Sequence, residues 1–288
     1  MRALSQVIRS QAQRLRNWPV AILTVTAVAA TLAGGHSARS ENAEITLRRG
    51  AERTSFSNNE IMDGFFKVAF RAELQTGRHA ERIRKFDEPV RVFVANHGTL
   101  DRRAEIAAVI ADIGAHVNHL DLAMTDDPRA ANLFVTLVPD RDLNRTIRSL
   151  YGRDRAKQIQ RSLNPQCLSG FEKDRLYRIR HAQVILPVDV GEFVFYDCAY
   201  EELLQALGPI NDDSSVPWTM FNDDVSMGFF DRYDQYILNI LYDPRIRPGM
   251  TKAEVGELSG AVLPTVRAWV EGANAPQGRQ ARHTSSAD

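Results

Sequence analysis

Cysteine is scarce: only Cys167 and Cys198 occur in 288 residues, which leaves room for one disulfide and no dense cross-linked scaffold. Neither belongs to a CxxC pair and no histidine stands at ligand spacing from them, so a cysteine-based metal site is disfavoured. Long apolar runs are also missing. The stretch from Val20 to Ala33, interrupted by Thr24, Thr26 and Thr31, is short of the roughly 20 residues that cross ~30 Å of hydrocarbon. The charge balance is even, 36 basic against 36 acidic residues, and gives no electrostatic footprint for nucleic acid. No internal repeat is present, and the calcium-loop pattern with its glycine at the sixth position is absent.

Acidic residues are missing from the first 35 positions, where Arg2, Arg9, Arg14 and Arg16 precede the apolar stretch and Ala33, Gly34 and Gly35 follow it. A charged segment, an apolar segment and a small-residue end read as a secretory signal cleaved near Gly35, with an uncleaved anchor as the alternative. No cysteine lies at this boundary, which excludes a bacterial lipid anchor. The expected location is therefore periplasmic or secreted, with membrane contact only through an uncleaved signal. Without its four arginines the chain keeps 32 basic residues against 36 acidic ones. The expected organisation is signal 1–35, linker 36–57, one domain 58–271 and a tail 272–288; the 44% hydrophobic content is ordinary for a globular protein. In an oxidising compartment a Cys167–Cys198 disulfide is expected to contribute ~3 to 4 kcal/mol, two unpaired thiols being the alternative.

Hydrophobic periodicity predicts a helix over Ile61–Phe70 and a β-branched strand from Val90 through Val94. A helix over Arg102–Ile113 is expected to stop at Gly114. Strands are expected over His116–Met124, Leu133–Val138 and Ala182–Val188, with a helical insertion from Leu143 to Leu163. Glu192–Leu207 reads as a helix ended by Gly208, and Asp231 opens another containing Tyr233, Ile237, Ile240 and Leu241. Thr251 with Glu254 three residues on forms a capping box for the last helix. The fold class is therefore α/β, helices on a small mixed sheet.

The candidate site lies on the helix ended by Gly208. Glu201 and Gln205, four apart, project from one face, and Glu202 lies about 100° round. Gly208 lets the chain return so that Asn211 and Asp212 approach that face. The glutamates read either as solvated helix residues or as an acid and base, but their divergence means that a partner from elsewhere must complete any two-carboxylate mechanism. Asp212, Asp213, Asp223 and Asp224 read as a solvated, helix-capping loop or as oxygen ligands for a hard cation. Cys198 lacks an identifiable base and reads as packed or disulfide-bonded rather than nucleophilic. His97 is the one histidine expected near the cleft, while His116 and His119, three apart on a strand, face opposite ways.

The pattern EExxQxxGxxN from Glu201 to Asn211 resembles the metzincin signature HExxHxxGxxH, with Glu202 at the general-base position and Gly208 at the helix-ending glycine. Trp218, Thr219, Met220 and Phe221 resemble that superfamily's Met-turn, and Asp231–Tyr242 its C-terminal helix. Cys198 with EELLQALGPIND, TMFND from Thr219 to Asp223 and LYDPRIRPGM from Leu241 to Met250 more specifically resemble a family of exported proteobacterial proteins without an assigned activity, domain-of-unknown-function family 2927. The resemblance implies a zincin-like fold with a long motif-bearing helix and a C-terminal helical part. Its zinc-ligand slots hold Glu201, Gln205 and Asn211, and two amides with one carboxylate suit zinc poorly. The expectation is a pseudo-protease with no metal or cofactor. It would bind a peptide or protein through Glu201, Gln205, Asn211, Asp212 and Met220, with Ala182–Val188 as the strand edge. The alternative is a hydrolase using Glu202 as base.

Overall fold

A computed structural model describes residues 42–70, 81–98, 100–162 and 165–275. The proposed signal falls outside these residues, and among them no helix is long and apolar enough to cross a membrane. In chain order come α1 (Ala43–Gly50), α2 (Asn58–Phe70), β1 (Val90–Asn96), α3 (Arg103–His116), β2 (Leu122–Met124) and β3 (Leu133–Val138). A 3-10 turn leads into α4 (Leu143–Tyr151) and α5 (Arg153–Ser162). Then follow β4 (Leu168–Lys173), β5 (Ile179–Pro187), α6 (Glu192–Ala206), α7 (Arg232–Tyr242) and α8 (Lys252–Ala273). The α/β class is as the periodicity predicted.

The sheet runs β2-β1-β3-β5-β4. Four strands are parallel and β4 alone is antiparallel, paired to β5 with Ser169 opposite Val184 and Phe171 opposite Ala182. Ala182–Val188 is thus not the edge. β5 is paired on both sides, and Ala182, Val184, Ile185 and Leu186 are fully buried, as a continuous apolar run requires of a strand covered on both faces. The edge is β4, whose Glu172 and Lys173 are exposed. One sheet face, with Val92, Val135 and Val184, enters the main core beneath α3 and α6. The other meets α4 and α5 in a smaller core through Leu168, Ile185, Ile147 and Ile159.

Further corrections have local causes. α1 occupies part of the expected linker, capped by the Asn42 side chain and anchored by Ile45, 3% exposed. α3 runs through Gly114 to His116, because that glycine does not take the positive φ of a helix stop. The strand predicted from His116 shrinks to Leu122–Met124, since His119 takes a φ of 63°. The insertion splits into α4 and α5 at Gly152, φ 79°. The capping box of Thr251 and Glu254 forms as read.

The LYDPRIRPGM segment is a clasp. Asp243 holds the Arg245 guanidinium, which also reaches the Ala261 carbonyl and Thr265 Oγ1. Ile83 exchanges backbone hydrogen bonds with Met250 and Gly249. Lys85 Nζ donates to the Leu241 and Asp243 carbonyls, and burial lowers its pKa to about 8.

Candidate functional site

Four devices position α6. Its first residues follow Gly191 at φ 97°. Phe195, Ala199, Leu203 and Leu204 bury one face in the main core. Cys198 is disulfide-bonded to Cys167 at the threshold of β4, with Cα atoms 6.0 Å apart, so helix and edge strand are covalently joined. Finally, Gly208 takes φ 143°, and a Cβ there would stand 2.4 Å from the Arg84 carbonyl oxygen. Only glycine permits that turn and that approach together.

Glu201 and Glu202 diverge as adjacent helical residues must. Glu202 turns under β4, 6% exposed, and meets the hydroxyl and backbone of Ser169. Its Oε2 is buried without a hydrogen-bond partner. Burial raises its pKa to about 8 and the Asp212 and Asp223 charges add to that, against the hydrogen bonds from Ser169. The reading of Glu202 as a solvated helix residue is therefore wrong. Gln205, equally buried, accepts from Ser169 Oγ at 3.1 Å and donates through Nε2 to Asp212 Oδ1 at 3.0 Å and Glu201 Oε1 at 3.5 Å.

Glu201 faces the loop that follows the helix. Carboxylate oxygens of Glu201, Asp212 and Asp223 lie within 4.8 Å of one another. Burial raises the pKa of Glu201 well above its ordinary value, and Glu202, Asp212, Asp197 and Asp223 raise it further. None of the described histidines, His97, His116, His119 and His181, joins this cluster; His97 is exposed beyond the end of β1.

Asn211 and Met220 have other work. Asn211 Nδ2 donates to the Lys67 and Asp212 carbonyls, and its backbone N–H to the Val68 carbonyl, so it fixes the loop to the end of α2. Met220 is 2% exposed, and its N–H donates to Asp234 Oδ2 at 2.8 Å, while Thr219 Oγ1 donates to Asp234 Oδ1. The 219–221 segment is thereby locked onto α7. Ser169 escaped the sequence reading with the strand that carries it. Asp223 stood out only as one acid among four. Tyr151 was also missed: its hydroxyl is buried without a partner, over Gly170, where a Cβ would meet it at 3.0 Å.

A family model described as a protein of unknown function (DUF2927) matches residues 58–259. The chain belongs to that family. The DUF2927 match thus runs from α2 into α8 and takes in the sheet, the motif helix and the clasp. No curated protein and no solved structure matches the chain.

Proposed function

We propose that this DUF2927 chain is an exported, zincin-like domain that binds an extended peptide or protein segment along β4 and performs no zinc chemistry. The observation that carries the reading is the edge strand. β4 is the lone antiparallel strand, it is paired on one side only among the described residues, and it lies over the helix bearing the Glu201-to-Asn211 pattern. An added strand takes its affinity from main-chain hydrogen bonds and its selectivity from alternating side-chain positions, neither of which needs a metal. The metzincin-like spacing, the buried Met220 and the amides at two of three ligand slots support a scaffold kept after zinc ligation was lost. The arginine-rich leader pattern and the Cys167–Cys198 disulfide support export.

The test is to screen extended peptides by fluorescence anisotropy and to map the tightest by hydrogen exchange. Slower exchange at 168–173 with none at 122–124, the opposite edge, is the expected result. Protection elsewhere, or one tightly held zinc per chain by elemental analysis, overturns the reading.

A second reading has its own observation, the partnerless Glu202 Oε2 beneath β4. In it the carboxylate acts as the base of a hydrolase. It requires turnover of peptides or cell-wall material that collapses in Glu202→Ala with folding retained; an unchanged rate removes it.

A further inference from the structure

We propose that the groove between the β4–β5 hairpin turn and the clasp binds a small monocarboxylate with an apolar body, its carboxylate held by Arg175 and Arg247. The groove offers about 460 Å³, within the range of about 300–1,000 Å³ usual for small-molecule sites. Its walls come from segments remote in sequence, residues 175–178 and 247–250, with Asp87 and Glu254 completing the lining. Charge selects the ligand. Arg175, Arg178 and Arg247 stand against those two acids, which leaves one net positive charge. Both acids are engaged already. Asp87 lies 3.6 Å from Arg178 and 3.7 Å from Arg180, and Glu254 closes the Thr251 capping box, whose hydrogen bonds, with the charges of Arg82 and Arg247 behind them, hold its pKa below the ordinary value. The exposed guanidinium groups of Arg175 and Arg247 have no hydrogen-bond or ion-pair partner among the described residues, Arg247 acting on Glu254 only at a distance. Each presents a planar fork that matches a carboxylate. A monoanion neutralises the groove, whereas a phosphate group, at about −1.5 to −2, would meet Asp87 and Glu254 with charge to spare.

The main chain of the walls is spent. The N–H groups of Leu176 and Arg178 donate to the Asp174 carboxylate and that of Tyr177 to its carbonyl, while those of Gly249 and Met250 go to the Ile83 and Arg247 carbonyls. A polypeptide therefore cannot add here as a strand, in the manner proposed for β4, and side chains have to do the recognising. Apolar surface is ready for that. Leu176 is 60% exposed in the hairpin turn, and Tyr177 and Pro248 line the groove beside it. Tyr177 holds a φ of 65°, where such a turn ordinarily takes glycine or asparagine. Gly249, at φ 84°, lies against its ring, since a Cβ there would stand 3.5 Å from Tyr177 Cδ2. Lys173 Nζ holds the ring as well, 4.2 Å from its centroid. Two left-handed residues thus meet where the two walls join, and backbone strain of this kind collects at ligand clamps.

The inference goes beyond the peptide reading and does not depend on it, because the probes are small molecules titrated without peptide. The full chain is titrated calorimetrically with phenylbutyrate, with acetate, which lacks the apolar body, with the neutral phenylbutanamide and with phenylbutyl phosphate. One phenylbutyrate per chain is expected, with the other three compounds weaker by about tenfold or more. Arg175→Gln and Arg247→Gln, at exposed positions, are each expected to weaken phenylbutyrate binding by about fivefold or more while the melting temperature stays within about 2 °C of wild type. Arg141→Gln, exposed in the 3-10 turn before α4, should bind as wild type does. Absence of saturable binding up to about 10 mM, equal affinity for the amide, equal or tighter binding of the phosphate, or wild-type affinity in both groove variants overturns the proposal. A peptide that protects residues 168–173 from exchange leaves the earlier reading standing whichever way the titration falls.

Discussion

Two groups of acids flank the Met220 segment, and they are treated in opposite ways. Asp231 and Asp234, 2% and 0% exposed, are held by backbone donors, although Asp231 Oδ2 is buried without a partner. Asp231 caps α7 by accepting from the Tyr233 and Asp234 N–H groups, and Asp234 accepts from Thr219 and Met220. Burial raises both pKa values, and for Asp231 the neighbouring Asp234 charge adds to it. Glu201, Asp212 and Asp223 instead bring carboxylate oxygens within 4.8 Å of one another, and the Gln205 amide bridges the first two. The difference teaches that a buried acid is structural when backbone donors are aimed at it. Acids brought close to one another raise each other's pKa instead, as they do for Glu201.

The comparison breaks hardest at Asp234. Asp234→Ala strands the Met220 N–H and the Thr219 hydroxyl in the core, and a loss of about 3 kcal/mol or more is expected in urea unfolding. Gly208→Ala comes next. A Cβ at positive φ against the Arg84 carbonyl is expected to cost about 2 to 3 kcal/mol and to disturb the return of Asp212, read as a lowered urea midpoint. Asp223→Asn sharpens the contrast by its sign. In urea unfolding it should be neutral or stabilising, within about 0.5 kcal/mol, because it removes a repulsion where Asp234→Ala removes donors' partners. The smallest effect concerns a third kind of acid. Asp174, in the β4–β5 hairpin, has its pKa lowered to about 2; some burial opposes ionisation but the N–H groups of Arg178 and Leu176 and the guanidinium groups of Arg178 and Arg180 outweigh it. A depressed carboxylate stabilises above its unfolded pKa of 3.8, and that contribution is lost as pH falls through about 2. The stability gap between wild type and Asp174→Asn, measured by urea titration, should therefore narrow from pH 5 to pH 2.

What could be read from residues alone followed how local the cause was. α6 was legible from its period and Gly208, and α8 from its capping box, because both signals act within a few residues. β4 was not. Leu168-Ser-Gly-Phe-Glu-Lys has glycine at its centre and half-buried positions on both faces, so neither alternation nor a continuous apolar run marks it. Mistaking β5 for the edge followed, since the strand that covers it was unseen. At the site, the divergence of Glu201 and Glu202 was legible from helix geometry. The spacing placed Asn211 in the cluster, but Lys67 and Val68, remote in sequence, claim its side chain and backbone. Asp223 takes part because Thr219 and Met220 are clamped to Asp234, a tertiary contact that no spacing rule encodes.

The bridge between Cys167 and Cys198 ties the rim that would receive a ligand to the rod that carries the carboxylates, with Glu201 three positions further along. Strand and rod are thereby held together as one piece. Reducing agents in a buffer would cut that linkage and leave the strand free to part from the rod.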